Sequence, residues 1–301
     1  MNFKRIITGL FIIVVSLTCY SQKKKAILIG IDGLQYEKIA KINTPNLDKL
    51  NIKKGYTGGV HGTDSQQITS SGPSWMTILT GVWTNQHKII DNTKDKLCQS
   101  PSIFNFIREH NKDAYTTSIS TWKNINIFLK DDMYKTNFSS QGGNDVLSTE
   151  LVINQINDYN SDFSFVHLDD VDHAGHAYGF GEKHDKTVAF IDGLVGEILK
   201  TIKVREHKYH EDWLIMIVTD HGRDTKGFGH GAQEINQKTI FIGMNKEGNT
   251  IFKNSDNDKK INSFKDLETL IPQTAVVPTI LKHLKVPIKK EWNLDAKPLI
   301  D

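Results

Sequence analysis

Two short segments carry more acidic and imidazole side chains than solvation requires. HLDDVDHAGHAYGFG places Asp169, Asp170, Asp172, His173 and His176 within eight residues. Neighbouring carboxylates repel one another, and a bound cation is the simplest relief. VTDHGRDTKGFGHG sets Asp220 beside His221 and puts His230 nine residues further on, across a glycine-rich loop. Carboxylate oxygens and imidazole nitrogens together form a donor set suited to a divalent ion of the zinc type. Spacing alone leaves open whether His173 or His176 would be a ligand. His61, His110, His207, His210 and His283 lack such company and read as surface or packing residues.

A third segment, QQITSSGPSWMTILTGVWTNQHKIIDN, spans residues 66–92. Pro73 suits a first helical turn, and Trp75, Ile78, Leu79 and Val82 give the helix an apolar face. Ser70 and Ser71 then lie at a helix amino terminus, where free N–H groups and the helix dipole favour an anion. A serine in that place is either a cap or a nucleophile. As a nucleophile it needs a base or a metal to lower its pKa, and the chain offers no G-x-S-x-G elbow. The acidic and histidine clusters could supply the activation instead.

These residues need a scaffold that gathers them. Lys25–Ile31, Phe163–Leu168, Trp213–Val218 and Thr239–Met244 are continuous apolar runs, as expected of strands buried on both faces. Helical patterns lie between and around them, at Pro45–Leu50 after the cap Thr44, Ser102–His110, Ser148–Tyr159, Asp185–Val204 and Thr274–Leu284. Alternating strands and helices without a linker or repeat imply one α/β domain, a mostly parallel central sheet with helices on both faces. In such sheets ligands sit beyond the carboxyl ends of the strands. Asp32, the Asp169–Asp172 cluster and Asp220-His221 directly follow three of the apolar runs.

The first 21 residues, MNFKRIITGLFIIVVSLTCYS, have the charge, apolar core and small flanking residues of a secretory signal peptide. Cleavage there leaves a catalytic domain over 22–301 without a stable membrane span, exported to the periplasm or secreted. Lipid attachment at Cys19 is the second reading and an uncleaved anchor the third. Removing Lys4 and Arg5 turns 37 basic against 35 acidic side chains into 35 against 35. A neutral chain gives no surplus of charge for a nucleic-acid polymer. Cys98 is the sole cysteine left, so core packing and bound metal, rather than disulfides, would hold the exported fold.

In order, IGIDG, SGPSWMTILTG followed by HKIIDN, DVDHAGHAYG, TDHG and GHG resemble the alkaline phosphatase superfamily, and within it the type I phosphodiesterase and nucleotide pyrophosphatase branch. The resemblance runs from Lys25 to about Leu284. It implies that Ser71 is the nucleophile, that Asp32, Ser71, Asp220 and His221 surround one divalent metal, and that Asp172, His176 and His230 hold a second, both zinc by preference. Asp169 and Asp170 match no ligand position. The implied activity is hydrolysis of a small-molecule or carbohydrate phosphate ester through a phosphoseryl intermediate.

Two departures bear on the substrate. The branch pattern has an asparagine three residues past the nucleophile, where this chain has Ser74, a shorter donor for a phosphoryl oxygen. SGPSWMTILTG is also similar to the sulfatase signature, with Ser71 at the residue converted there to formylglycine, but Trp75 replaces its expected arginine. A sulfatase is therefore the alternative enzyme, and a noncatalytic metal- or ligand-binding protein the alternative outside enzymes.

Overall fold

The computed structural model describes residues 22–141, 143–255 and 260–301. Residues 1–21, with the expected signal peptide and Cys19, lie outside the described residues. Eight strands form one sheet: β1 (Lys24–Ile31), β2 (Asn51–Tyr56), β3 (Thr116–Ser120), β4 (Phe138–Gln141), β5 (Phe163–Leu168), β6 (Asp212–Val218), β7 (Thr239–Met244) and β8 (Ile271–Pro272). Their order is β4-β3-β5-β1-β6-β7-β2-β8. β7 runs antiparallel to both neighbours, β6 and β2, while the other pairings are parallel.

The apolar runs are continuous because both faces of the sheet are covered. On one side Ala26 and Leu28 pack with residues of the Ser71–Thr80, Ile103–His110 and Val276–His283 helices. On the other, Ile27, Ile29 and Ile31 meet the Asp145–Asn157 and Glu182–Tyr209 helices. Each fully buried aliphatic side chain contributes about 1.5–3 kcal/mol relative to exposure. Two such layers can therefore carry charged groups buried at their rim. Among the described residues no helix is long and apolar enough to cross a membrane.

The α/β architecture is as the sequence implies, with local differences. The expected helix Pro45–Leu50 is a three-residue 3-10 turn, Leu47–Lys49. The Asp192 carboxylate accepts hydrogen bonds from the N–H groups of Asn46 and Leu47, and β2 begins two residues after the turn ends. The Ser148–Tyr159 pattern starts earlier, at Asp145, where Asn144 caps the helix by accepting from Leu147 N–H. The pattern at Asp185–Val204 is part of a 28-residue helix, Glu182–Tyr209. Thr274–Leu284 divides into a 3-10 turn, Gln273–Ala275, and the Val276–His283 helix.

Candidate active site

β5, β1 and β6 are neighbours, in register from Ile31 opposite Leu168 to Gly30 opposite Val218. Their carboxyl ends therefore release Asp169, Asp32 and Asp220 into one crevice. The Asp32 N–H continues the ladder by donating to Leu168 O at 2.9 Å. Ser71 comes from the adjoining layer as the first residue of the Ser71–Thr80 helix, whose buried Trp75, Met76, Ile78 and Leu79 fasten it to the sheet. Ser70 occupies the cap position, yet its side chain makes no capping hydrogen bond.

At the centre, Ser71 Oγ lies 3.4 Å from His221 Nε2. The same nitrogen is 3.5 Å from Asp32 Oδ1 and 3.3 Å from Asp220 Oδ2. His221 Nδ1 donates to Gly222 O at 3.1 Å, which turns the lone pair of Nε2 toward the two carboxylates. Asp32 Oδ1 and Asp220 Oδ2 are buried and receive no hydrogen bond from the protein. In a Ser-His-Asp relay the carboxylate faces Nδ1, the side opposite the serine. Here both carboxylates share the Nε2 side with the serine. Two partnerless carboxyl oxygens, an imidazole lone pair and a serine hydroxyl form a donor set that fits a divalent cation.

A second group adjoins the first. His176 Nε2 stands 3.0 Å from His230 Nε2 and 3.2 Å from Asp172 Oδ2, while His230 Nε2 is 3.8 Å from Asp172 Oδ1. His230 Nδ1 donates to Thr69 O at 2.9 Å, so its Nε2 lone pair also points inward. The His221 and His230 rings stack at 3.7 Å between centroids, joining the two groups.

Burial and neighbours set the charges. Burial, then the proximity of His230, pushes His221 down to about 3, so the ring is a neutral donor at physiological pH. Burial lowers His230 as well. Asp220 is raised well above the carboxylate range by burial and by the Asp32 charge. For Asp172 burial acts upward, but the His176 hydrogen bond and the nearby His221, Arg223 and His230 outweigh it and hold the carboxyl low. Crowded anions of this kind are what a cation relieves.

The structure thus brings Asp32, Ser71, Asp220 and His221 together, and Asp172, His176 and His230 beside them. Ser74 is fully buried, its hydroxyl 3.4 Å from that of Thr57, which in turn donates to Gln273. His173 turns outward and pairs with Asp169 at 3.2 Å. The backbone N–H groups of Asp169 and Asp170 donate to the Asp145 carboxylate. His61, His110, His207 and His210 are exposed, and His283 is packed with Nε2 on Asp212 O.

Three residues at the site carried no role in the sequence reading. Asn92, the last residue of the HKIIDN segment, accepts from Gly72 N–H at 2.7 Å and so stands at the amino terminus of the serine helix. A Cβ on Gly72 would lie 2.6 Å from Asp91 O, so only glycine admits this approach. Arg223, fully buried, pairs with Asp172 and donates to Gly227 O and Phe228 O. His167, also fully buried, meets Asp32. A buried arginine directly after TDHG was the available signal; the other two become visible through tertiary contact alone.

The fold is that of the alkaline phosphatase superfamily, and the family profile makes the chain an ester hydrolase within it. Within it the chain belongs to the type I phosphodiesterase / nucleotide pyrophosphatase family, whose profile matches residues 26–97 and 100–242. Among solved structures the fold is similar to Ps i-CgsB, at 14% identity and a TM-score of 0.65, covering 92% of this chain and 75% of that one. A putative sulfatase from Bacteroides thetaiotaomicron gives 10% identity and a TM-score of 0.66, covering 92% and 74%. The murine ectonucleotide pyrophosphatase / phosphodiesterase 5 gives 16% and 0.51, covering 66% and 57%. At these identities the likeness establishes a shared fold. No curated protein sequence matches the chain.

Proposed function

We propose that this chain hydrolyses phosphate esters, diesters first, with Ser71 as the nucleophile. The observation that carries the reading is the placement of Ser71 Oγ at a helix amino terminus, facing His221 Nε2 beside the partnerless Asp32 Oδ1 and Asp220 Oδ2. Asp32, Ser71, Asp220 and His221 would hold one divalent ion, and Asp172, His176 and His230 a second. Zinc suits the mixed nitrogen and oxygen donors. When bound, the pair would supply charge neutralisation at phosphorus and a lowered pKa for the serine hydroxyl.

The residues of the chain divide the remaining work. Ser71 Oγ, its proton given up to solvent, attacks phosphorus in line with the leaving ester oxygen, so the Oγ–P bond forms as the P–O ester bond breaks and the departing alkoxide takes a proton from water. Water then cleaves the phosphoseryl ester, returning Ser71 and releasing the phosphate product. Of the N–H groups opening the Ser71–Thr80 helix, that of Gly72 is taken by Asn92, Pro73 has none and that of Ser74 donates to Ser70 O, which leaves the Ser71 N–H and the helix dipole to meet oxygens on which charge develops. Asn92, already placed at that terminus, can turn its amide N–H₂ to the same oxygens. Ser74 is the further candidate donor from the sequence, though its hydroxyl points to Thr57.

The substrate we infer is a small-molecule or carbohydrate ester. Ps i-CgsB, similar in fold, has been solved with k-i-k-neocarrahexaose, an oligosaccharide. The leader pattern over residues 1–21 supports an exported catalytic domain at 22–301. Sulfate-ester cleavage is the second reading, favoured by Ser71 in the position of the formylglycine precursor and weakened by Trp75. The test compares an aryl phosphodiester, an aryl phosphomonoester and an aryl sulfate on one sample with its metal content measured. Dominant phosphodiester turnover that chelation abolishes and zinc restores is expected. Dominant sulfate turnover would install the second reading, and two bound metals with no turnover would make this a binding protein.

A further inference from the structure

Asp32 presents two chemically distinct oxygens. Oδ2 receives the indole N–H of Trp75 at 2.8 Å and lies 3.0 Å from His167 Nε2. Oδ1 receives nothing from the protein and faces His221. The backbone N–H of Trp122 donates to His167 Nδ1 at 3.4 Å, which places the ring proton on Nε2, so His167 is a donor to Asp32. One oxygen is therefore saturated by two N–H groups while the other is held bare.

The surroundings make this arrangement rigid. Trp75 and His167 are fully buried and meet edge to face, 4.8 Å between ring centroids at 84°. The indole passes over Gly30 of β1, where a Cβ would lie 2.3 Å from the ring carbon Cη2. The strand that carries Asp32 is thus cut back to admit the ring that orients it. Trp75 also stands four residues after Ser71, one helical turn away on the same helix. Nucleophile and carboxylate donor consequently move as parts of one rigid element.

We propose that Trp75 and His167 are positioning residues that present Asp32 to the first metal through Oδ1 alone, as a single-oxygen ligand at a fixed angle. The inference rests on the two-metal reading above. It also gives Trp75, the residue that departs from the sulfatase signature, a role in the half-site of Asp32, Asp220 and His221. Groups that orient a ligand from outside the metal's own shell typically change metal affinity by about 10–100-fold when removed.

The experiment is a zinc titration of the metal-stripped protein by calorimetry, with a competing chelator, in wild type, Trp75→Phe, His167→Leu and His167→Gln. Asp220→Asn identifies which binding step belongs to the first half-site. Trp75→Phe keeps the ring bulk and loses the N–H; it and His167→Leu are expected to weaken that step about 10–100-fold and leave the other within threefold. His167→Gln, which retains a donor, is expected to recover most of the loss. A merely structural role would lower the urea midpoint of the metal-free protein and leave both steps in place.

A second readout needs no variant to fold. Of the five indole N–H resonances of the wild type, one should shift at one of the two zinc-binding steps and stay constant through the other. Wild type binding two zinc ions with unchanged affinities in Trp75→Phe and His167→Leu, or with no indole signal responding to either step, overturns the inference. Wild type failing to bind zinc at the step removed by Asp220→Asn overturns the two-metal reading itself.

Discussion

Asn92 lies 20 residues beyond Gly72, yet its side-chain oxygen accepts the Gly72 N–H at 2.7 Å and seats the amide against the start of the serine helix. Ser74, three residues past Ser71, is turned away toward Thr57. We expect Asn92→Ala to lower turnover of an aryl phosphodiester by about 10²–10³-fold, the range for removing one donor to a developing oxyanion. Ser74→Ala should cost less than about tenfold. Steady-state kinetics on both variants decide, and the reverse ranking would return the phosphoryl contact to Ser74.

Ser71→Ala removes the group that forms the covalent bond. Turnover is expected to fall by about 10⁴-fold or more, while the protein retains its fold, because the Ser71 hydroxyl makes a long contact, 3.4 Å, with His221 Nε2 and the cap position belongs to Ser70. Mass spectrometry of acid-quenched wild type should show a phosphoryl adduct on the Ser71 peptide. Full activity in the variant would remove Ser71 from the mechanism.

The two groups of ligands should be separable. Asp220→Asn replaces a carboxylate whose Oδ2 has no protein donor, and Asp172→Asn acts in the neighbouring group. Each variant is expected to lose one bound metal of two and keep the other, as read by elemental analysis after dialysis. Retention of both ions in either variant would contradict the division.

Arg223 joins Asp172 to the loop that carries His230. Arg223→Met leaves a buried carboxylate without its cation, which costs about 3–5 kcal/mol. The urea midpoint of the metal-free protein should fall accordingly, and zinc binding to the Asp172 group should weaken. A variant as stable as wild type would show that Gly227 and Phe228 hold the loop unaided.

His87, which meets Thr77 of the serine helix and is not among the proposed ligands, offers a pH test. Burial pushes its imidazole down to about 3, and the Ile89 N–H donates to Nδ1 at 3.1 Å, occupying the site of protonation. Between about pH 6.5 and 3 the unfolded chain takes up a proton that the folded chain refuses, so stability falls as pH falls. Within that window His87 contributes a slope of about 1.4 kcal/mol per pH unit. Chemical denaturation at pH 7, 6 and 5 should show a shallower loss in His87→Gln; parallel curves would refute the assignment.

The α/β architecture and the gathering of acidic and imidazole side chains at its strand ends were both legible in the sequence, whereas strand direction and several partners were not. Asp32, the Asp169–Asp172 run and Asp220-His221 stand out because they interrupt long apolar runs at strand ends. The reversal of β7 has no such local mark, since its residues TIFIGM read alike in either direction. β2, with Lys53 and Lys54 in its middle, pairs through its backbone and lacks the apolar run by which the central strands announce themselves. Asn92, His167 and Arg223 acquire their roles from partners 20, 135 and 51 residues away. A cap pattern at Thr44 suggested a helix, but Asp192 from a distant helix takes up the N–H groups involved.

The rings of His221 and His230, stacked 15° from coplanar, are divided by the proposed function between two ligand groups. Their contact acts as a spacer gauge, since neither imidazole can tilt toward a larger or smaller ion without displacing the other. Exchanging zinc for an ion of different radius should therefore be felt in both groups at once, and substitutions at the two histidines should couple rather than add.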